Sequence, residues 1–270
     1  MDGKLNQLQR LLPEGLLVDA AWLRKHGYST SLRRQYVVAK WLDHPTGQVY
    51  RRERGSLGWQ QVTISLQTLL DQDLVVGGRT ALELQGFAHY LAQEIKTVHL
   101  YGSVQPPAWL NKLPVDVAFS FHNSGRLFYH PSAKPRSRSL DPASFLTLPA
   151  DLVAQPWGQW GWQLALSSPE RALLELLDEL PGRETFHQVD KFVEGLASLS
   201  PGRLEKLLLN CRSVKVKRLF FFFADRHGHA WLQHIDKKAI DLGRGKRMLV
   251  RGGKLNAAYQ ITVPEDLDAA

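Results

Sequence analysis

The sequence predicts an α+β protein in which an N-terminal winged helix-turn-helix domain precedes a larger, mixed α/β C-terminal domain. Three observations predict this class. The 270 residues exceed the usual size of one domain. Short capped helices occupy the part of the chain before residue 93, and short apolar strands begin near Val98. We therefore expect two domains, residues 1–93 and residues 94–270.

The composition is that of a folded globular chain, with 44% hydrophobic and 22% charged residues. The single cysteine, Cys211, excludes an intramolecular disulfide, and no zinc-finger spacing is present. His227 and His229 have the spacing of metal ligands but lack a cysteine or carboxylate cluster, so we expect no metal and no cofactor. No signal peptide or membrane-spanning run occurs. These features predict a soluble cytoplasmic protein without a membrane partner.

Residues 19–41 have the pattern of a helix-turn-helix. Asp19 is suited to cap one helix, Gly27 to form a tight turn, and Ser29 to open the next helix. Two helices joined in this way place the second helix in the major groove of DNA. A turn at residues 44–47 and a strand from Gln48 predict a hairpin, which would be the wing.

The candidate DNA-binding side chains carry a hydroxyl group or a positive charge. Hydroxyls at a helix start suit phosphates, and arginine suits guanine or the DNA backbone. The same fold also serves as a protein-interaction module, which is the alternative interpretation. The candidates are Ser29, Thr30, Ser31, Arg33, Arg34 and Lys40 in the third helix, and Arg51, Arg52 and Arg54 in the wing.

The second domain begins with strands and continues with helices. Apolar runs predict strands at residues 97–101, 115–121 and 126–129, and a Pro- and Ser-rich loop follows at residues 131–144. Ser168 and Pro169 open a helix, and two more are predicted at residues 186–196 and 200–211. Residues 214–224 are predicted to be a buried strand. Tryptophans 157, 160 and 162, separated by glycines, predict a turn whose aromatic rings cover the core, and stacking on nucleic-acid bases is the alternative.

Residues 211–254 carry twelve basic and three acidic side chains. Such a density of positive charge favours binding of an anion, an acidic protein partner or a nucleic acid. The alternative is a basic face that only contacts solvent. The Gly-rich run at 242–247 is not a nucleotide-binding loop, because Arg247 stands where Ser or Thr is needed. The cations proposed for this surface are Lys215, Lys217, Arg218, Arg244, Lys246, Arg247, Arg251 and Lys254.

The sequence contains no motif that indicates an enzyme. Ser167 and Ser168 do not lie in a GxSxG motif, and no convergent set of acidic, His or Ser residues is visible along the chain. Cys211 ends an apolar helix and has no neighbouring His, so we expect a buried structural cysteine.

Several long runs resemble one family across nearly the whole chain. In the first half these are LPEGLLVDAAWLRKHGYSTSLRRQYVVAKWL, GWQQVTISLQTLL and VVGGRTALELQGFAHYL. In the second half they are SSPERALLELLDELPGRETF, CRSVKVKRLFFFFADRHGHAWL and DLGRGKRMLVRGGKLNAAYQITVP. The order and length of these runs resemble the AbiEi antitoxins of type IV toxin–antitoxin systems of bacterial abortive infection.

The resemblance implies two functions and two partners. A winged helix-turn-helix would bind double-stranded operator DNA and repress the protein's own operon. The C-terminal domain would neutralise a nucleotidyltransferase-like toxin, AbiEii, directly or indirectly. The chain departs from its relatives around Trp41, where Ala39-Lys40 replaces Ser-Gly and residues 44–47 replace a Gly-rich turn. The alternative is a stand-alone winged-helix regulator whose C-terminal domain senses a ligand or partner.

Overall fold

The computed structural model describes residues 3–87, 94–131 and 148–267. The loop predicted for residues 131–144 lies outside these ranges except for its first residue. The first elements are helix α1, strand β1, helices α2 and α3, strands β2 and β3, and helix α4. Their bounds are Lys4–Leu11, Leu17–Asp19, Ala20–Lys25, Thr30–Val38, Asp43–Thr46, Val49–Arg51 and Trp59–Gln67, respectively.

Strands β1, β3 and β2 form an antiparallel three-stranded sheet in that order. Thr46 pairs with Val49, so the hairpin turn is Gly47-Gln48, and Gln48 has a φ of 65°. The prediction of a turn at residues 44–47 is therefore wrong in position, since the turn ends one residue further on and is shorter. Pro45 lies instead within β2, and because β2 is an edge strand, its missing N–H group costs no sheet hydrogen bond.

A mixed five-stranded sheet forms the centre of the larger unit, in the order β6-β5-β4-β8-β7. Its strands β4 to β8 are Leu74–Val76, Thr97–Gly102, Ala118–Asn123, Leu152–Trp157 and Trp162–Ser167. The pairs β5–β6 and β4–β8 are parallel, and the pairs β4–β5 and β7–β8 are antiparallel. Strand β4 precedes the predicted boundary at residue 93 but pairs with strands that follow it. Strand pairing thus joins the two predicted domains.

The helices of this unit are α5 to α10, followed by a short hairpin of β9 and β10. The helices span Gly78–Leu84, Ser124–Leu127, Pro169–Asp178, Phe186–Gly195, Pro201–Asn210 and Val214–His227, and the strands span Lys254–Asn256 and Ile261–Val263. Ser168 caps α7 and Pro169 is its first residue, as predicted. The strand predicted at residues 126–129 is wrong, because the short helix α6 occupies its first half.

Helix α10 replaces the strand predicted at residues 214–224. Ser213 caps the helix by accepting the N–H of Val216 at 3.3 Å, and Gly228 ends it at a φ of 59°. The four phenylalanines at 220–223 are buried on every side of the helix. A fully buried run has no polar face, so its hydrophobic pattern does not distinguish a helix from a strand.

Two smaller predictions are confirmed. Cys211 is buried, and burial raises the pKa of its thiol to about 11, so it remains an uncharged structural residue. The tryptophan-rich segment is the β7–β8 turn, where Trp157 and Trp162 stack with ring centroids 6.4 Å apart while Trp160 is exposed. Within the described ranges, no helix is both long and apolar enough to cross a bilayer.

Candidate nucleic-acid interface

Local hydrogen bonds build the α2–turn–α3 unit. The Asp19 carboxylate accepts the N–H of Trp22 at 2.7 Å, and the Ser29 hydroxyl accepts the N–H of Leu32 at 3.2 Å. Both predicted helix caps are therefore confirmed. Gly27 makes the turn with a φ of 82°, which disfavours any residue with a side chain. Tyr28 is buried beside it, and its hydroxyl donates to the Lys4 carbonyl at 3.0 Å.

Helix α3 ends at a strained residue. Lys40 has a φ of 59°, the left-handed conformation that glycine adopts without cost. Its N–H donates to the Val37 carbonyl at 3.1 Å, and the N–H of Trp41 donates to the Tyr36 carbonyl at 2.8 Å. This pair of hydrogen bonds is a Schellman motif. The departure noted around Trp41 thus places a lysine at the position where the motif favours glycine.

One face of α3 points into solvent. Ser31, Arg34, Gln35 and Val38 are all exposed, and their spacing of three, four and seven residues places them in one row. Within the described residues, the side chains of Arg34 and Gln35 form no hydrogen bond or ion pair. Val38 is 77% exposed. Ser31 and Arg34 were among the candidate side chains predicted from the sequence. Gln35 and Val38 were not, although the helical period counted from Ser31 identifies both.

Arg33 was expected to face outward, and the structure corrects this. Only 8% of the residue is exposed. Its guanidinium donates to the Thr30 hydroxyl at 2.8 Å and lies 5.6 Å from the centre of the Tyr50 ring. Because Arg33 lies on the inner side of α3, it braces the helix against β3 rather than facing a ligand.

Two of the three arginines predicted for the wing are also held within the protein. Arg51 is buried and forms an ion pair with Asp43 at 2.8 Å. Arg52 donates to the carbonyls of residues 9 and 12 and forms an ion pair with Glu14 at 2.8 Å. Arg54 remains half-exposed, and its guanidinium lies 3.6 Å from the Glu14 carboxylate and 5.3 Å from the centre of the Trp160 ring. Arg51 and Arg52 therefore fasten the hairpin to the rest of the fold, in contrast to their expected outward orientation.

The exposed positive charge of this unit lies on its helices. Arg24 and Lys25 are exposed in the last turn of α2, and Arg34 and Lys40 are exposed on or beside α3. The uncharged Thr30 is exposed at the start of α3. We call these five residues, with Ser29, Ser31, Gln35 and Val38, the α3 surface. It combines free donors for base edges with cations for phosphates.

Three of the eight cations proposed for the C-terminal surface are internal. Lys217 and Arg218 are buried. Arg218 donates to the carbonyls of Leu242 and Gly245, both at 2.7 Å, and of Gln260 at 3.2 Å. Lys215 donates to the Asp178 and Leu180 carbonyls at 2.6 and 2.8 Å. Because α10 is a buried helix, its cations bond the surrounding chain instead of facing solvent.

The remaining five cations are exposed and follow α10 in the chain. They form what we call the C-terminal basic surface, which consists of Arg244, Lys246, Arg247, Arg251 and Lys254. Met248 lies among them in the sequence and is 73% exposed. The backbone of Arg247 is tied to the β9–β10 hairpin by hydrogen bonds to residues 260 and 262, at 2.9 and 3.0 Å. A folded hairpin thus supports this surface.

Family models of known proteins match both parts of the chain. A family model described as "Transcriptional regulator, AbiEi antitoxin N-terminal domain" matches residues 1–93, and one described as "Transcriptional regulator, AbiEi antitoxin, Type IV TA system" matches residues 95–264. The crystal structure of the Rv2827c protein from Mycobacterium tuberculosis is similar, with a TM-score of 0.55 and 16% identity over 95% of this chain and 88% of that chain. This similarity shows a shared fold. No curated protein is significantly similar to the chain.

Proposed function

The chain belongs to the AbiEi antitoxin family of type IV toxin–antitoxin systems, a family of transcriptional regulators, and from this premise we propose that it represses its own operon and neutralises a toxin. The observation that carries the DNA-binding part is the row Ser31, Arg34, Gln35 and Val38. These side chains lie on the outer face of a doubly capped helix, where the Ser31 hydroxyl bonds the Ser29 hydroxyl at 3.0 Å and, within the described residues, Arg34 and Gln35 have no hydrogen bond or ion pair.

In this proposal α3 enters the major groove of the operator, and the β2–β3 hairpin is the wing. Arg34 and Gln35 have the donor geometry to read guanine and adenine, and Val38 can contact a thymine methyl group. The hydroxyls of Ser29 and Thr30, at the start of α3, contact phosphates together with Arg24, Lys25 and Lys40. Arg54, half-exposed beside Glu14, is the wing residue that we assign to the DNA backbone.

The neutralising activity belongs, in this proposal, to the C-terminal domain, residues 94–270. Its C-terminal basic surface is our candidate for the residues responsible. Five exposed cations within eleven residues would attract an acidic partner surface or a nucleic acid bound by the nucleotidyltransferase-like toxin. Both direct contact with the toxin and indirect antagonism are compatible with this assignment.

A paired assay in cells separates the two activities. Arg34→Ala should relieve repression of a reporter driven by the protein's own promoter, but should leave protection from the toxin intact. The triple variant Lys246→Ala, Arg247→Ala, Arg251→Ala should do the reverse. Arg126→Ala, which removes another exposed arginine, is the matched control and should change neither readout.

The same assay tests the alternative, a stand-alone regulator that senses a ligand or partner. That alternative predicts repression without protection from any neighbouring nucleotidyltransferase-like gene product. Undiminished protection by the triple variant would rule out the C-terminal basic surface as the neutralising site. Undiminished repression by Arg34→Ala would rule out the α3 surface.

A further inference from the structure

Strands β5 and β6 bring together side chains that the sequence analysis did not connect. The strands are parallel, with His99 opposite Ser120 and Tyr101 opposite His122. Because alternate residues of a strand face the same side of a sheet, all four side chains lie on one face. Glu179, which follows α7, completes the cluster. Its distance along the chain from β6 explains why no sequence motif revealed the group.

The distances within this cluster form a continuous chain of contacts. The Ser120 hydroxyl oxygen lies 3.2 Å from Nε2 of His122, and Nδ1 of His122 lies 2.9 Å from the Glu179 carboxylate. The Tyr101 ring stacks on the His122 ring with centroids 4.5 Å apart. A serine, a histidine and a carboxylate in this order are the arrangement by which hydrolases activate a serine hydroxyl.

A free backbone donor lies beside the serine. The N–H of Ala118 bonds the Lys96 carbonyl on the β5 side, whereas the N–H of Phe119 bonds the Asn111 side chain on the opposite side. Two residues further on, the N–H of Phe121 therefore also points away from β5, and the described residues provide no acceptor there. The N–H group of the residue after a nucleophilic serine is a common oxyanion donor.

Two cavities meet at Ser120. One, of about 750 Å³, is also lined by His99 and by charged residues that include Lys96, and the other, of about 460 Å³, is lined by Pro106 and Leu110. Ser120 and Arg183 line both cavities. Arg183 forms an ion pair with Glu179 at 3.3 Å while its side chain stays 61% exposed, so it presents a positive charge to both cavities. A substrate could thus place one part on either side of the serine.

We propose that Ser120, His122 and Glu179 form a catalytic triad that hydrolyses carboxylic esters. Ser120 Oγ attacks the carbonyl carbon while Nε2 of His122 takes the hydroxyl proton. The tetrahedral intermediate, whose oxyanion accepts the N–H of Phe121, collapses as the C–O bond breaks and His122 protonates the departing alcohol. Water then attacks the acyl-serine with His122 as base, which releases the carboxylic acid and restores Ser120.

His99 does not compete with His122 for the role of base. Burial, together with the nearby His122, lowers the pKa of His99 to about 4, so its imidazole is neutral at pH 7. Nδ1 of His99 lies 3.0 Å from Nε2 of His122. Because its pKa is so low, His99 does not take the proton that His122 acquires from Ser120, and that proton remains on Nε2 for the departing alcohol.

The test uses the full chain, a fluorophosphonate probe and p-nitrophenyl acetate. The wild-type protein should be labelled covalently and should release p-nitrophenol. Ser120→Ala should abolish labelling and reduce kcat/KM at least 100-fold. Ser198→Ala, at an exposed serine of the same unit, is the matched control and should retain both activities. Glu179→Gln, which preserves side-chain size, should retain the fold but lower kcat at least tenfold.

Circular dichroism and binding to promoter DNA establish that each variant is folded. An unlabelled wild-type protein without turnover would overturn the proposal. Labelling and turnover that survive in folded Ser120→Ala would overturn it equally. Neither result would affect the proposed DNA-binding function, because none of the triad residues belongs to the α3 surface.

Discussion

The two basic regions of the molecule differ in how they use their charge. Residues 211–254 hold the densest positive charge in the chain, yet Lys215, Lys217 and Arg218 bond carbonyls or pack inside the fold. The α3 surface has fewer cations, but Arg34 stands free on a capped helix. The number of basic residues in a segment therefore indicates a ligand-binding surface only when the arginines and lysines that bond the protein's own backbone are left out of the count.

The first prediction tests whether buried and exposed arginines of residues 211–254 differ in their contribution to stability. Arg218→Ala should lower the free energy of unfolding by about 2–4 kcal/mol, because three backbone carbonyls lose a charged donor in a buried site. Arg247→Ala, at an exposed position, should change it by less than about 0.5 kcal/mol. Urea denaturation measures both, and equal effects would contradict the distinction.

The second prediction applies the same distinction to neighbours on α3. Arg33→Ala should destabilise the protein by about 1–3 kcal/mol, since it removes the hydrogen bond to Thr30 and the packing against Tyr50. Arg34→Ala should leave thermal stability unchanged within about 0.5 kcal/mol. If differential scanning calorimetry ranked the two variants in the opposite order, the assignment of inner and outer faces on α3 would be wrong.

The third prediction concerns the N-terminal cap of α2. Asp19→Ala should cost about 1 kcal/mol of stability, because the N–H of Trp22 loses its acceptor. Asp19→Asn retains a capping oxygen and serves as the matched control, with most of the stability preserved. An equal loss for both variants in urea denaturation would indicate that the carboxylate acts through its charge rather than as a cap.

The smallest expected effect is at Lys40. Lys40→Gly should raise stability by about 0.5 kcal/mol, since relief of the left-handed strain exceeds the added entropy of the unfolded chain. It should also weaken DNA binding slightly by removing one cation. Lys40→Ala removes the same charge without relieving the strain, so a gain in stability for this variant would exclude strain as the cause.

The extent to which the fold was predictable depended on the range of the interactions. Helices α2, α3 and α7 were predictable because Asp19, Ser29 and Ser168 cap them within three residues. Helix α10 was not, because its phenylalanines are buried on all sides and show no period.

The candidate sites, like the helices, were predictable only where the contacts are local in the sequence. Ser120 and His122 have the spacing of two residues on one face of a strand, but their contact with Glu179 depends on how α7 packs against the sheet. The inward orientation of Arg33 likewise depends on the position of Tyr50 in β3. Such tertiary contacts leave no local pattern in the sequence.

In our proposal the α3 surface, and not the denser C-terminal basic surface, binds the promoter. The most direct test is a fluorescence-anisotropy titration of the protein's own promoter DNA with the wild-type, Arg34→Ala and Arg247→Ala chains at several salt concentrations. We expect Arg34→Ala to weaken binding at least tenfold, while Arg247→Ala binds as the wild type does. Weaker binding by Arg247→Ala together with unchanged binding by Arg34→Ala would contradict it.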